Sequence, residues 1–262
     1  MTLRALLLHA TGTNRDDEAA RALELAGALP EIVPLTQLRA GEKHWRDYQM
    51  LVLPGGFANA DALGAGKILA LDLNLYFADA VNEFIDKGKP VIGICNGFQA
   101  LVKAKILPNA KSKIEHRTLE ATLTFNANNH FECRWVTLQP VSQKCVWTRG
   151  LDELMYCPIA HGEGNFQLAN ENDLETLRVN EQIALRYVCE NGEAANGAYP
   201  FNPNGSLDDI AGVCNERGNV LGLMPHPEDH VFNFQHPRHT RGERGQLGLK
   251  LFEKGVEYAA QI

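Results

Sequence analysis

The sequence predicts an α/β protein: an open, doubly wound, mostly parallel sheet with an antiparallel β extension. Three observations carry this. Strand-like and helix-like segments alternate through the first hundred residues, the pattern of βαβ units with helices on both faces of a parallel sheet. Two apolar runs end in glycine-framed turns, P-G-G at 54–56 and G-I-C-N-G at 93–97, which puts both turns on the carboxyl rim where such sheets hold ligands. From about residue 120 the helical spacing gives way to short apolar runs separated by polar turns, as antiparallel strands require.

Taken in order, residues 4–9 read as a buried strand and T-G-T-N at 11–14 as a turn. Residues 16–27 have helical spacing, with Asp16, Asp17 and Glu18 in the first turn, where the helix dipole favours negative charge. Short strands follow at 31–35 and 50–53, then one helix over 73–86 that Gly88 ends. Residues 91–94 are the next strand and 98–105 a helix. Residues 121–125 and 133–138 are expected to pair antiparallel with each other across a turn at 126–130. Further strands are expected at 155–160, 182–189 and 210–223, the last with a turn at 216–219, and a closing helix at 247–258. No repeat, low-complexity tract or linker interrupts the chain, so one domain over residues 1–262 is the simplest account.

The chain has 262 residues, 45% hydrophobic and 22% charged, ordinary values for a globular protein. Lys and Arg number 25 against 32 Asp and Glu, a net charge of −7, so no basic surplus exists to draw nucleic acid. The basic stretch at 236–244 reads as a solvated loop. No apolar run approaches the about 18 residues that span a membrane, and the run at 5–10 is too short for a secretory signal, so a cytoplasmic location is expected. Cys133, Cys145, Cys157, Cys189 and Cys214 show no C-x-x-C pair and read as thiols in a reducing compartment.

The sixth cysteine is different. Cys95 lies between Gly93 and Gly97, after an apolar strand and before a helix, the layout of a nucleophile elbow. The turn brings backbone close to backbone, and its glycines meet that crowding or a positive φ. The positive end of the following helix favours thiolate over thiol. An arbitrary cysteine is a packed core residue about nine times in ten. The glycine frame reverses that reading here, together with a distant partner, G-L-M-P-H-P-E-D at 222–229. His226 and Glu228 are two apart, so in an extended segment they share a side. Pro225 and Pro227 stiffen the segment. Thiol, imidazole and carboxylate form the arrangement used for acyl transfer. A tetrahedral oxyanion would find donors in the backbone N–H of Asn96 and in that of Gly56 or Phe57. His161 with Glu163 is a weaker acid–base pair, more simply a structural hydrogen bond. His226 with His230, or His236 with His239, lacks the further ligands that a tetrahedral metal site needs, and no metal is expected.

With these residues in hand, the sequence resembles the class I, or triad, glutamine amidotransferases. Within them it is similar to the glutaminase subunits of phosphoribosylformylglycinamidine synthase, of de novo purine synthesis. The motifs that carry the resemblance are G-T-N-R-D-D-E-A-A at 12–20, L-P-G-G-F at 53–57, G-I-C-N-G-F-Q at 93–99, P-I-A-H-G-E-G-N-F at 158–166, Y-P-F-N-P-N-G-S at 199–206 and G-L-M-P-H-P-E at 222–228. It departs from the family at Arg15, where a cysteine is common, and at A-N-A-D, 58–61, where S-Y-G-D is frequent. The resemblance implies a flavodoxin-like sheet, with Cys95 as nucleophile, His226 as base and Glu228 as its orienting carboxylate. It also implies that Gly55, Gln99, His161, Gly162, Gly164, Asn165 and Phe166 contact glutamine. The chain has no G-x-x-x-x-G-K-[ST] phosphate loop, so no cofactor is expected in it. By the resemblance, ATP and Mg²⁺ belong to a synthetase partner that aminates formylglycinamide ribonucleotide, joined through a small bridging subunit. The readings that stay open are an amidotransferase for another synthetase, a γ-glutamyl hydrolase, and a non-catalytic glutamine-binding scaffold.

Overall fold

Four short runs of consecutive apolar residues are too short for helices and too continuous for a half-solvated sheet, so they can only be strands buried on both faces. In the computed structural model, which describes residues 3–109 and 119–262, they are β1 (Arg4–His9), β3 (Met50–Leu53), β4 (Val91–Ile94) and β11 (Val220–Leu223). The remaining elements of the first part are α1 (Asp16–Leu25), β2 (Leu29–Pro34), α2 (Leu35–Ala40), α3 (Lys67–Tyr76), α4 (Ala78–Asp86) and α5 (Asn96–Lys103). Then come β5 (Ala121–Thr124), β6 (Glu132–Pro140), β7 (Met155–His161), β8 (Asn165–Leu168), α6 (Leu174–Val179), β9 (Ile183–Val188), β10 (Ile210–Cys214) and α7 (Leu249–Ala259).

The main sheet runs β2-β1-β3-β4-β11-β10-β9-β6-β7. Its first five strands are parallel and the other four join antiparallel. The parallel part is the 2-1-3-4-5 order of flavodoxin-like sheets, with β11 in fifth place although its sequence lies far downstream. The expected fold class therefore holds. α1 packs on α7, and α5 on α3, on β4 and on β11.

Three local expectations do not hold. The segments at 121–125 and 133–138 do not pair with each other. β5 pairs with β8 in a separate two-stranded sheet, Leu123 opposite Phe166, and β6 lies between β7 and β9. Both strands have the right pattern, but pairing partners are set by the burial of Leu123 and Phe166 beneath the main sheet's helix α5, not by sequence proximity. The expected helix at 73–86 is two helices, broken at Phe77, whose φ of −126° and ψ of 8° leave the helical region. That break buries the Phe77 ring against Trp45, centroids 5.4 Å apart. The third concerns the turn at 226–229 and belongs with the site.

Candidate active site

β4 and β11 are neighbours, parallel and in register, Gly93 opposite Gly222 and Ile94 opposite Leu223. The Cys95 N–H donates to the Leu223 carbonyl at 2.8 Å, which ties the two strand ends together where their chains leave the sheet. Cys95 and His226 are delivered to one point by this pairing. The elbow is tight. Cys95 itself holds the positive φ, 49° with ψ −103°, a strained backbone for a residue with a Cβ. Its glycines have ordinary φ and serve close approach instead: a Cβ on Gly97 would stand 2.0 Å from the Leu53 carbonyl oxygen, and one on Gly93 2.8 Å from the Gly97 carbonyl.

Beyond β11, Pro225 and Pro227 bracket His226, whose N–H donates to the Pro158 carbonyl at 2.8 Å. The segment is not extended, as the spacing suggested. Pro227–Asp229 is a 3₁₀ turn, and it folds Glu228 back so that its Oε1 meets His226 Nδ1 at 2.7 Å. Glu228 leaves His226 Nε2 free for the thiol, whose sulfur acts on the ring electrostatically. Burial disfavours the charged imidazole, but the Glu228 carboxylate and the Cys95 sulfur outweigh it and raise His226 well above its ordinary range. Cys95, His226 and Glu228 are all buried, and the Cys95 S–H reaches the Ala160 carbonyl at 3.8 Å. Gly55 gives the imidazole its room: a Cβ there would be 2.6 Å from His226 Cε1 and 3.5 Å from Cys95 Cβ.

The backbone donors divide in a way the sequence does not reveal. The Phe57 N–H donates to the Gly12 carbonyl at 3.1 Å, so Phe57 is not the free donor. The N–H groups of Gly56 and of Asn96, the first residue of α5, have no acceptor among the described residues. Both lie beside Cys95.

In front of the thiol is a cleft of about 200 Å³ lined by Gly56, Phe57, Cys95, Gln99, His161 and Glu163, with Asp61, Phe125 and Phe131 at its border. That volume is below the about 300–1,000 Å³ of drug-sized pockets and suits an amino-acid-sized ligand. A depression of about 250 Å³ against α7 is lined by Glu153, Lys250 and Glu257 and contains no cysteine, serine, threonine or histidine.

Of the residues the resemblance assigned to glutamine, His161 and Gly162 line the cleft. Burial, and then the charge of His226, push His161 down to about 3, so it is neutral. Its Nδ1 meets Asn126 Oδ1 at 3.1 Å, and Nε2 has no partner among the described residues. Asn126 donates to the carbonyls of His130 and His161, so its Oδ1 accepts from His161 and Nε2 carries the free lone pair. Gln99 lines the cleft but both ends of its amide are engaged, Nε2 with the Glu163 carbonyl at 2.7 Å and Oε1 with Asn96 Nδ2 at 3.1 Å. Gly164, Asn165 and Phe166 are outside the cleft lining. A Cβ on Gly164 would be 2.3 Å from the His161 ring, Asn165 accepts from Gln167, and Phe166 stacks on Phe98, so the three support the loop.

Several residues escape sequence reasoning. Asn204 and Ser206 donate to the Gly164 carbonyl at 2.9 and 3.2 Å and fix the H-G-E-G loop, which gives the N-P-N-G-S motif a scaffold role. Asp61 is raised by burial against the hydrogen bonds from Asn96 and Gly66. Phe125 and Phe131, both exposed, flank an Asn-rich turn; two unburied phenylalanines beside polar residues are the signal that would have found them.

A parallel α/β sheet with a thiol on a strained elbow, and an imidazole–carboxylate pair on the adjoining strand, defines a class I glutamine amidotransferase. The sequence matches the CobB/CobQ-like glutamine amidotransferase domain over residues 2–259, and the chain belongs to that family. It is 54% identical over 268 residues to the phosphoribosylformylglycinamidine synthase subunit PurQ of Treponema denticola, covering 98% of this chain and 99% of that protein. The subunit of the same name from Dehalococcoides mccartyi is 41% identical, with 99% of each covered. In structure the chain is similar to one solved as part of PurLQS from Thermotoga maritima, with TM-score 0.74, 31% identity, and 98% of this chain and 99% of that chain covered. Among the described residues no helix is long and apolar enough to cross a membrane.

Proposed function

We propose that the chain is the glutaminase subunit of a phosphoribosylformylglycinamidine synthase and works as one amidotransferase unit. The observation that carries this is the register of β4 and β11, which joins Cys95 to His226 and Glu228 at the mouth of an amino-acid-sized cleft. Cys95 Sγ attacks the side-chain carbonyl carbon of glutamine while His226 takes the thiol proton. Glu228 holds the Nδ1 proton in place and stabilises the imidazolium. The oxyanion accepts from the N–H groups of Gly56 and Asn96; losing one such donor typically costs about 10²–10³ in rate. His226 returns its proton to the leaving nitrogen, and ammonia departs. Water then cleaves the γ-glutamyl thioester, giving glutamate and the free thiol.

Ammonia is the useful product. A synthetase subunit consumes it, using ATP and Mg²⁺ to convert formylglycinamide ribonucleotide to the amidine, and a small third subunit bridges the two. The Thermotoga maritima assembly, whose name joins PurQ to L and S components, supports this arrangement.

The test is covalent labelling with the glutamine analogue diazo-oxo-norleucine, followed by intact mass and peptide mapping. One adduct at Cys95, absent from Cys95→Ser and blocked by excess glutamine, is the expected result. A Cys95 that stays unlabelled, alone and with its partners, would remove the glutaminase reading and leave the scaffold one.

A further inference from the structure

Glu228 uses only one of its two carboxylate oxygens. Oε1 holds His226 Nδ1, while Oε2 is buried and has no partner among the described residues. The next residue in the 3₁₀ turn is another carboxylate, Asp229, and single ligand atoms of His226, Glu228 and Asp229 all lie within 4.8 Å of one another. Two carboxylates this close under partial burial compete for ionisation. The start of α1 meets them with a cation: Arg15 Nη1 is 3.8 Å from Asp229 Oδ1 and 3.1 Å from Glu18 Oε1.

Three elements, α1, β7 and α7, pack on the turn that carries Asp229. On its own turn are Glu228 and His226. From α1 come Arg15 and Glu18. β7 contributes Cys157, whose thiol is raised by burial and by the two carboxylates and is therefore neutral. α7 packs on the same turn but directs Lys250 to Glu153 and Lys254 to Glu257. Burial and then Glu228 raise Asp229 to about 6, while His226 and Arg15 act to keep it ionised.

We propose that Arg15 and Asp229 are positioning residues for the triad, Arg15 holding Asp229 ionised so that Glu228 stays committed to His226. When Asp229 takes a proton from solvent, its O–H donates to the free Oε2 of Glu228. Glu228 then shares its charge between Asp229 and His226, and the imidazole draws the thiol proton less strongly. The consequence for glutamine rests on the glutaminase reading above, but the device itself is read at the thiol.

The experiment uses the full chain and follows the rate of Cys95 alkylation by iodoacetamide, by intact mass, from about pH 4.5 to about 8. Thermal midpoints of all variants are taken alongside. In the wild type the rate should fall as pH drops through about 6. In Arg15→Ala the fall should move toward neutral by a few tenths of a pH unit to about one, so that labelling near pH 5.5 is about two- to tenfold slower. Arg15→Lys should restore the wild-type position, which a packing role would not predict. Asp229→Asn, whose amide donates to Oε2 at every pH, should label slowly throughout, without the step. A wild type with no step near pH 6, or an Arg15→Ala profile that coincides with wild type, overturns the proposal. Should Arg15→Ala fail to fold, persistence of the step in Asp229→Asn overturns it alone. Failure of wild-type Cys95 to react with either iodoacetamide or the glutamine analogue would instead overturn the glutaminase reading, and this proposal with it.

Discussion

Gly55 shows how little room the reacting groups have. It sits between the imidazole and Cys95, and the smallest added side chain would meet His226 Cε1 at 2.6 Å. Its φ is not in the positive range, so alanine there is not strained by the backbone; it acts through the clash alone. Gly55→Ala should lower Cys95 labelling by glutamine analogues and glutaminase turnover about 100-fold, as a 1 Å misplacement typically does, with a small change in melting temperature. Equal losses of stability and activity would show that the glycine serves the fold instead. Cys95, His226 and Glu228 were legible because each lies in a short motif whose glycines or prolines declare an unusual backbone. The reason given for His226 and Glu228 was nonetheless incorrect, since a 3₁₀ turn, and not an extended strand, brings them together. Gln99 and Phe166 already have protein partners, which sequence does not record because it gives a side chain's type and not its neighbours. Here Asn96, Glu163 and Phe98 supply them.

At the scale of elements, most strands are legible in the sequence, β8 is not, and the pairing of β5 is not. Residues 50–53 and 91–94 were placed to the residue, because a four-residue apolar run can hardly be anything else. The segment at 121–125 is matched with the wrong partner and β8 is not read as a strand at all, because strand pairing is decided by what Leu123 and Phe166 bury, which no local pattern records. The break at Phe77 was hidden by an apolar spacing that continues through it. The edge of the sheet carries its own electrostatic tie. Glu31 on β2 accepts from Lys43, from Tyr48 at 2.8 Å and from Arg4 on β1 at 2.7 Å. The Lys43 hydrogen bond leads in lowering Glu31 to about 2, with Tyr48 and Arg4 adding to it against partial burial. A carboxylate depressed on folding stabilises above its unfolded value and loses that contribution as pH falls through its folded value. Glu31→Gln should therefore melt below wild type at pH 7, and the difference should close as pH drops from about 4.5 toward about 2. A gap that does not vary with pH would mean that the side chain only packs.

For the whole molecule, the order of the parallel strands follows the expected fold class, but the identity of the fifth strand does not follow from the first hundred residues. It comes from residues 220–223, after six intervening strands, four of which join the main sheet antiparallel. The cleft opens beside three exposed phenylalanines, Phe57, Phe125 and Phe131. If the chain serves a synthetase, glutaminase turnover should rise by about tenfold or more when the synthetase, bridging subunit, ATP and nucleotide substrate are added, within the usual range of coupling between sites. Full turnover by the isolated chain, insensitive to those additions, would count against a coupled complex. The late fifth strand also bears on how the enzyme is made. A chain emerging from the ribosome carries Cys95 long before it carries His226, and the Leu223 carbonyl that holds the elbow's N–H arrives later still than β4. Domains fold as units during synthesis, and non-local pairings form last. The thiol thus has neither the His226 imidazole nor the Leu223 carbonyl that ties down its turn until most of the polypeptide is finished.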